Sequence, residues 1–556
     1  MPVPEVPLSA QSAMVTFTRA VTVAAGAFAP GHLGELTQLA PFELVDDILA
    51  RTRTVQRRLR VLPSRVGVYF VLALGLFPQV GYARVWAKLT AGLGGLDGLD
   101  VAAPSEKALR DLRRRLGPAP LRALFEVLAG PLAWPHAPGV RFAGLRTVAF
   151  DGCSSIRAPD TARNRAWLGR VRHRTGFAGY PLVRLMALAE TGTRGLLGAV
   201  IAGRGRGGET ALARQLLHLL GPGMLVLADR AFDAAGFLAA VAGTGAHLLI
   251  RARSSRLPLV LEVLPDGSYL ADIGGLSVRV IEARIRVQGA DGTCCQDTCR
   301  LVTTLLDHRR APADRLVRLY HERWEIESAY YALRHTLLAG RVLRSGDRPG
   351  AEQELWALLA GYQLLRMAMT DATATRPGTD PDRASFTIAL QTAGEQLTTA
   401  QHISPATPDH PGPIGRAVLA GLLPARRPRY SARKVKSSTS RYPGRPADPR
   451  PALPATITAV TITITTPPPG DRSRPRPRRP RQPAPGTLRH RVTALLHADP
   501  ARPRTGRELA ALLRLRPSYL LSHLAHWTSA GHLTRTSPGT YTLPATPAPL
   551  TNPPDP

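Results

Sequence analysis

The sequence predicts a multidomain α/β protein with a helical front, a mixed strand-and-helix middle and a small helix-and-hairpin module near its end. Three observations predict it. From Pro41 to Leu116 apolar residues recur at helical spacing with few strand formers between them. From Arg146 to Arg253 short apolar runs, bounded by Gly and Asp, alternate with helical stretches. From Leu257 to Leu305 the pattern is strand-like only, cut by Asp-Gly and Gly-Gly turns.

Residues 1–30 are small and apolar without a period and are expected to form a loose tail. A helix is expected over Pro41–Leu49, with Leu44, Val45, Ile48 and Leu49 on one face. A basic connection, Arg51–Arg60, leads to helices at Val66–Phe77 and Tyr82–Leu89. Ser105 is placed to cap a helix over Glu106–Leu116, which Gly117 and Pro118 end. These helices make up an expected N-terminal domain over 31–135.

A second domain is expected over 140–375. Its strands are Arg146–Asp151, Leu182–Glu190, Gly195–Ala202, Met224–Ala228 and His247–Arg253, with helices at Glu209–Leu219 and Asp233–Ala242. The strand-rich stretch at about 255–300 reads as an all-β insertion with strands at Leu257–Val263, Tyr269–Ile273, Val278–Val287 and Cys299–Leu305. Helices Ala313–Leu338 and Glu352–Met369 close the domain. A helical and basic tail over 376–440 holds a helix at Ala384–Ala400 and the cations Arg426, Arg427, Arg429, Arg433, Lys434 and Lys436. Pro and Arg dominate 441–486, the composition of an extended, disordered linker. Within it Thr456–Thr466 alternates Thr with Ile or Val, a strand pattern with no evident partner. Residues 487–545 turn globular again. Leu488–His497 is one helix, the capping box Thr505-Gly-Arg-Glu508 opens a second, and Pro517 starts a third. A hairpin over Leu533–Leu543 follows, turning at Pro538-Gly539. This order resembles a winged helix, with Ser518, Tyr519, Ser522, His523 and His526 free to face DNA.

The chain has 556 residues, 72 Lys and Arg against 40 Asp and Glu, and a net charge of +32. Together with a pI near 11.3, this points to a polyanionic partner, most simply nucleic acid. Lysine is scarce, so arginine carries the charge, and GC-rich codon usage accounts for part of the excess. Arg110, Arg113, Arg114 and Arg115 fit the recognition helix of a helix-turn-helix, and equally the solvated face of a plain bundle. The 4 cysteines do not form a disulfide scaffold, and Cys294, Cys295 and Cys299 lack the paired spacing of a zinc site. Cys153 reads as a small buried residue. The longest apolar run, Val66–Phe77, is too short to span a bilayer, and no secretory signal is visible. A cytoplasmic protein with reduced thiols and no membrane partner is expected. Gly203–Gly208 lacks the Gly-Lys-Ser/Thr ending of a phosphate loop and reads as a basic turn.

Chemistry concentrates in three places. Tyr320, Arg323, Glu327 and Arg334 are spaced to share one helical face. Such a face sets a carboxylate among cations and a phenol, groups that can meet a metal ion and a phosphate directly. The runs Leu145–Phe150 and Met224–Ala228 read as strands ending at Asp151-Gly152 and Asp229-Arg230. Two strand-end aspartates joined by a helical glutamate can converge at one sheet edge, as paired divalent cations acting on a phosphodiester require.

The residues Asp151-Gly152, Pro159-Asp160-Thr161 and Asn164, then Leu227-Ala228-Asp229-Arg230-Ala231-Phe232, then Tyr320, Arg323 and Glu327, resemble a bacterial DDE transposase of the IS4 family. The family helix carries Tyr-x2-Arg-x3-Glu-x6-Lys; here Arg334 stands in place of the lysine, a planar fork for a compact ammonium. The likeness covers roughly 30–440, and Leu33–Leu93 is similar to the family's helical N-terminal domain, which grips element ends. It implies a ribonuclease-H-like mixed sheet with a β insertion, and Asp151, Asp229 and Glu327 as catalytic ligands of two Mg²⁺ (or Mn²⁺) ions. It implies DNA contacts from Tyr320, Arg323, Arg334, Arg230 and Asn164. The implied partners are double-stranded DNA, as terminal inverted repeats and target, and a second copy or more of the chain in a nucleoid-associated synaptic complex. A DNA-binding relative that no longer cuts and acts as a regulator, and a nuclease that cuts without joining, are the rival readings.

Overall fold

The computed structural model describes residues 33–58, 62–91, 103–134, 136–170, 172–173, 176–177, 179–205, 207–290, 292, 294–399, 412–425, 457–466, 488–499, 502–529 and 532–543. The chain divides into two compact units, Met1–Asp471 and Arg472–Pro556. The expected tail over 1–30, the cations from Arg426 to Lys436, and most of the expected linker lie outside the described residues.

The first unit begins with helices α1 (Phe42–Arg51), α2 (Ser64–Leu76), α3 (Tyr82–Thr90), α4 (Glu106–Leu116) and α5 (Ala119–Leu128). The Ser105 hydroxyl accepts from Ala108 N at 3.2 Å, and Gly117 takes a φ of 65° to end α4, as its sequence requires. Helix α5 was not anticipated. Gly117-Pro118 reads as a stop, yet Pro118 becomes the next N-cap with Pro120 in the first turn, where a missing N–H costs nothing. Helix α2 is buried along almost its whole length. Among the described residues no helix is long and apolar enough to cross a membrane.

The sheet is built from β1 (Leu145–Arg157), β2 (Leu182–Glu190), β3 (Leu196–Ala202), β4 (Met224–Ala228), β5 (His247–Arg251), β6 (Glu262–Val263), β7 (Tyr269–Ile273), β8 (Leu276–Gly289) and β9 (Cys294–Thr303). Their order is β3-β2-β1-β4-β5-β9-β8-β7-β6. Only β1–β4 and β4–β5 pair in parallel. This mixed sheet is consistent with the ribonuclease-H-like arrangement implied by the likeness. Between strands lie α6 (Ala162–Leu168), α7 (Glu209–Ala213) and α8 (Ala235–Ala242).

Side chains alternate across the sheet, so its two faces have separate cores. Val148, Phe150, Met186, Val226 and Ala228 face α7 and α8. Ala149, Ala187, Leu225 and Leu227 face the front helices and the long α11 (Arg348–Ala374). After β9 the chain runs through α9 (Ala313–Tyr320), a 3₁₀ turn (His321–Arg323), α10 (Trp324–Tyr331) and a π-helical turn (Ala332–Leu337) before α11. Helices α12 (Phe386–Thr399) and α13 (Pro413–Ala420) complete this layer.

Several expectations change. Arg113, expected on a DNA-facing or solvated helix face, is buried against α11, bonded to Gln353 at 2.9 Å and Glu354 at 3.1 Å. Arg113 therefore holds helices together and faces no solvent, whereas Arg110 and Arg114 are exposed. The segment read as a basic tail supplies core residues, with Leu397, Ile414 and Val418 fully buried. Glu35 caps this corner, accepting from Ile414 N at 2.7 Å. The β-rich stretch prolongs the central sheet, because β9 pairs with β5. Its first expected strand shrinks to Glu262–Val263, and Leu257, Leu259 and Leu261 are exposed. The Thr-Ile run within the linker finds its partner: β10 (Ile457–Ile464) lies antiparallel on β8, along residues 283–289 that β7 leaves uncovered. An open strand edge with unpaired donors attracts such a strand.

The second unit holds α14 (Leu488–His497), β11 (Arg504–Thr505), α15 (Gly506–Leu512), α16 (Pro517–Ser529), β12 (Thr534–Ser537) and β13 (Thr540–Thr542). Both halves of the Thr505/Glu508 capping box form. Val492, Leu509, Leu520 and Leu524 make its core. Strand β13 pairs with both β12 and β11.

Candidate active site

The first aspartate does not end its strand. Beyond Asp151, β1 continues to Arg157 because β2 still offers an antiparallel partner there. What ends is the parallel pairing with β4, whose last register pair is Ala149 with Leu227. Two residues further on along both strands stand Asp151 and Asp229, side by side and on the face that carries Ala149 and Leu227. The strand period thus fixes both the proximity and the shared direction of the two carboxylates.

Asp229 is locked by its own turn. Its Oδ1 accepts from Ala231 N at 2.7 Å, and Phe232 is buried between Phe150 and Phe237, with centroids at 6.2 and 5.4 Å. Arg230 between them is exposed. The Gly152 backbone is ordinary strand. What it needs is space, since a Cβ there would stand 2.7 Å from Glu209 Oε1.

The third carboxylate comes from α10, which packs across β1 on the same face. The Tyr330 hydroxyl donates to the Asp151 carbonyl at 2.7 Å and pins helix to strand. On the far side of α10, Glu325 is buried against Arg194, which also meets Asp382. Glu327, two residues on, is turned toward the crevice, where it accepts from the Arg323 guanidinium at 3.0 Å. Sequence reading overlooked Arg194, Glu325 and Asp382; the Glu325–Glu327 spacing, which puts two acids on opposite helix sides, was the available signal for one of them.

Electrostatics ties the residues together. Burial pushes the Asp151 carboxyl up to about 7; Arg323 pulls against this, while Glu327 and Asp229 push it further. Burial works against the charge on Arg323, yet Tyr320, Asp151, Glu327 and Asp229 around it hold its pKa above the ordinary value. Burial pushes the Tyr320 phenol up to about 12. The shared helical face therefore holds for Tyr320, Arg323 and Glu327. Arg334 lies beyond them in the π-helical turn, half-buried and 3.1 Å from His335 Nε2. The wider turn takes it off the 3.6-residue spacing. Asn164 is also corrected. It is fully buried, its amide donating at 3.0 Å to the carbonyls of Pro159 and Ser345, so it braces a loop and cannot touch DNA.

The donor set suits a divalent cation: hard carboxylate oxygens, one of them raised in pKa chiefly by burial and further by the neighbouring carboxylates. Glu327 is engaged by Arg323, and among the described residues no three His, Cys, Asp or Glu side chains already stand at coordinating distance. A cation would have to draw Glu327 away from Arg323.

The chain is similar to known proteins over its front helices and its sheet. The family described as Transposase DDE domain matches residues 144–364, and Insertion element 4 transposase N-terminal matches 30–126. The chain is 30% identical over 429 residues to Transposase InsG for insertion sequence element IS4 of Escherichia coli (strain K12), covering 74% of this chain and 94% of that one. It is 28% identical over 193 residues to Putative transposase InsZ of the same organism, covering 34% of this chain and 62% of that one. A DDE domain implies dependence on a divalent metal. With a matching front domain, a matching DDE domain and a relative 30% identical over most of both chains, the chain belongs to the IS4 family of DDE transposases.

Proposed function

We propose that the crevice at Asp151, midway along β1, and the end of β4 cuts double-stranded DNA at the element's inverted repeats and joins the freed ends to a target. Asp151, Asp229 and Glu327 would hold two Mg²⁺ (or Mn²⁺) ions. When bound, such ions lower the pKa of water and offset charge on phosphoryl oxygens. The observation that carries the reading is the register of β1 on β4, which sets Asp151 beside Asp229 on the face covered by α10.

Each neighbour has a part in that reading. Asp151, its pKa raised to about 7, titrates around neutral pH, and a bound cation would favour its charged form. Arg323, cationic at any working pH, keeps Glu327 aimed at the crevice until a ligand competes, and then faces a phosphate oxygen beside the cut. Tyr320 stays protonated and donates to the same region. Exposed Arg230 and half-buried Arg334 would meet phosphates farther along. In the second unit, we read helices α14, α15 and α16 with strands β12 and β13 as a winged helix that binds DNA. Supporting this, Ser518, Tyr519, Ser522 and His526 are exposed on α16, while His523 is half-buried, stacked on Trp527. Such an enzyme works as a homodimer or larger synaptic assembly.

Glu327→Gln tests the assignment. The variant should bind end DNA like the wild type yet nick none of it in a magnesium-containing plasmid assay. Normal nicking would remove Glu327 from the site.

A further inference from the structure

A second cationic feature lies outside the carboxylate crevice. A groove of about 530 Å³ is lined by Arg163, Ala166 and Trp167 of α6, Gly203 and Arg204 after β3, and Arg348 at the start of α11. Its floor is fixed. A Cβ on Gly203 would lie 2.5 Å from the Trp167 ring and 2.6 Å from its carbonyl, so ring and backbone are in direct contact. Arg204 N donates to the Trp167 carbonyl at 2.9 Å. The Arg348 guanidinium sits 5.5 Å above the ring, a cation–π contact that limits where it can point.

The cations at this floor are only lightly neutralised. Arg163 is 81% exposed and stands 3.8 Å from Asp347, longer than a good ion pair. Arg348 shares one exposed contact with Glu352 at 2.8 Å. Arg204 is exposed and meets no carboxylate among the described residues. Concentrating positive charge on a rigid aromatic platform costs repulsion, which a polyanion would relieve.

The groove also lies within reach of the cutting crevice. Ala202 at the end of β3 pairs with Arg184, whose neighbour Leu185 pairs with Cys153 of β1, so the groove lies toward the sheet end that β1 reaches beyond Asp151. Strand β3 is two strands from β1. At about 4.8 Å per strand the lateral offset is about 10 Å, and Gly203 lies about 13 Å along the strand beyond Ala199, which is level with Ala187 and Asp151. Together these give about 16 Å, about five base-pair steps at ~3.4 Å each along a duplex.

We propose that this groove binds the phosphate backbone of duplex DNA a few base pairs from the cut. Arg163, Arg204 and Arg348 take the phosphates, and Trp167 positions Arg348. The inference rests on the reading of the carboxylate crevice as the DNA-cutting site.

The test is fluorescence anisotropy of a short labelled duplex of arbitrary sequence with the full chain, titrated from about 50 to 200 mM salt. Removing two phosphate contacts with Arg163→Ala plus Arg204→Ala should reduce the slope of log K against log salt by about 2. Arg51→Ala plus Arg122→Ala removes equal charge from exposed arginines paired with Asp47 and Glu126, and should leave the slope unchanged. Arg163→Lys plus Arg204→Lys should keep the slope, which separates charge contact from misfolding. A wild-type slope in the groove alanine variant, or an equal loss in the Arg51/Arg122 control, overturns the proposal while leaving the crevice assignment standing. A wild type with no salt-dependent binding takes both readings down.

Discussion

Removing the Glu325 carboxylate should loosen the helix that aims Glu327. Arg194, Glu325 and Asp382 are 5%, 1% and 1% exposed, so this cluster of one cation and two anions has almost no water to fall back on. The Arg194 carbonyl further accepts from the Tyr362 hydroxyl at 2.8 Å, which fixes the β2–β3 turn on α11. Breaking a buried ion pair by truncating one member costs about 3–5 kcal/mol. Asp382 remains as partner to Arg194, so Glu325→Ala belongs at the lower end, about 3 kcal/mol. With an unfolding entropy of ~2.1 cal/mol/K per residue, a unit of this size should lose about 3 °C in Tm. Glu325→Gln keeps an acceptor in place and should lose about half as much. The assays are a thermal melt and DNA nicking measured side by side. Nicking should fall further than DNA binding, because Glu327 shares the helix with Glu325. A Glu325→Ala protein that melts within about a degree of wild type and nicks normally would refute the claim that this cluster holds α10.

Two further outcomes follow from the same contacts. Because the Asp151 pKa in the folded protein, about 7, lies above its ordinary 3.8, the folded state binds the extra proton between those values. Wild-type stability in divalent-free buffer should therefore be present at low pH and decline as pH rises toward 7, relative to Asp151→Asn. Melting curves of the pair at stepped pH check this, and parallel profiles would contradict it. In the second unit, Thr505→Ala removes the capping box of α15 and should cost about 1 kcal/mol, read as earlier loss of that unit's helical signal in urea.

Much of the site was legible because local periods decide it. The alternation of β1 and β4 set two aspartates on one face, and the spacing Tyr320, Arg323, Glu327 gave the third arm. At Arg334 a π-helical turn that no local propensity announced shifts the rotation from the 3.6-residue spacing. How the segments pack on one another was not legible. The front helices, α11, α12 and α13 look like separate segments in sequence, yet each has an apolar face that only the others and the sheet can cover.

By itself the sequence determined the kinds of elements, their caps, the three acidic positions and the polycationic character, since these depend on neighbours within a few residues. Tertiary structure alone decided that the Thr-Ile strand β10 closes β8, that Arg113 and Asn164 serve packing, and that Arg194 steadies α10. It also gathered Arg163, Arg204 and Arg348 around Trp167. Those outcomes join residues tens to hundreds of positions apart, and only burial of shared apolar surface brings such residues together.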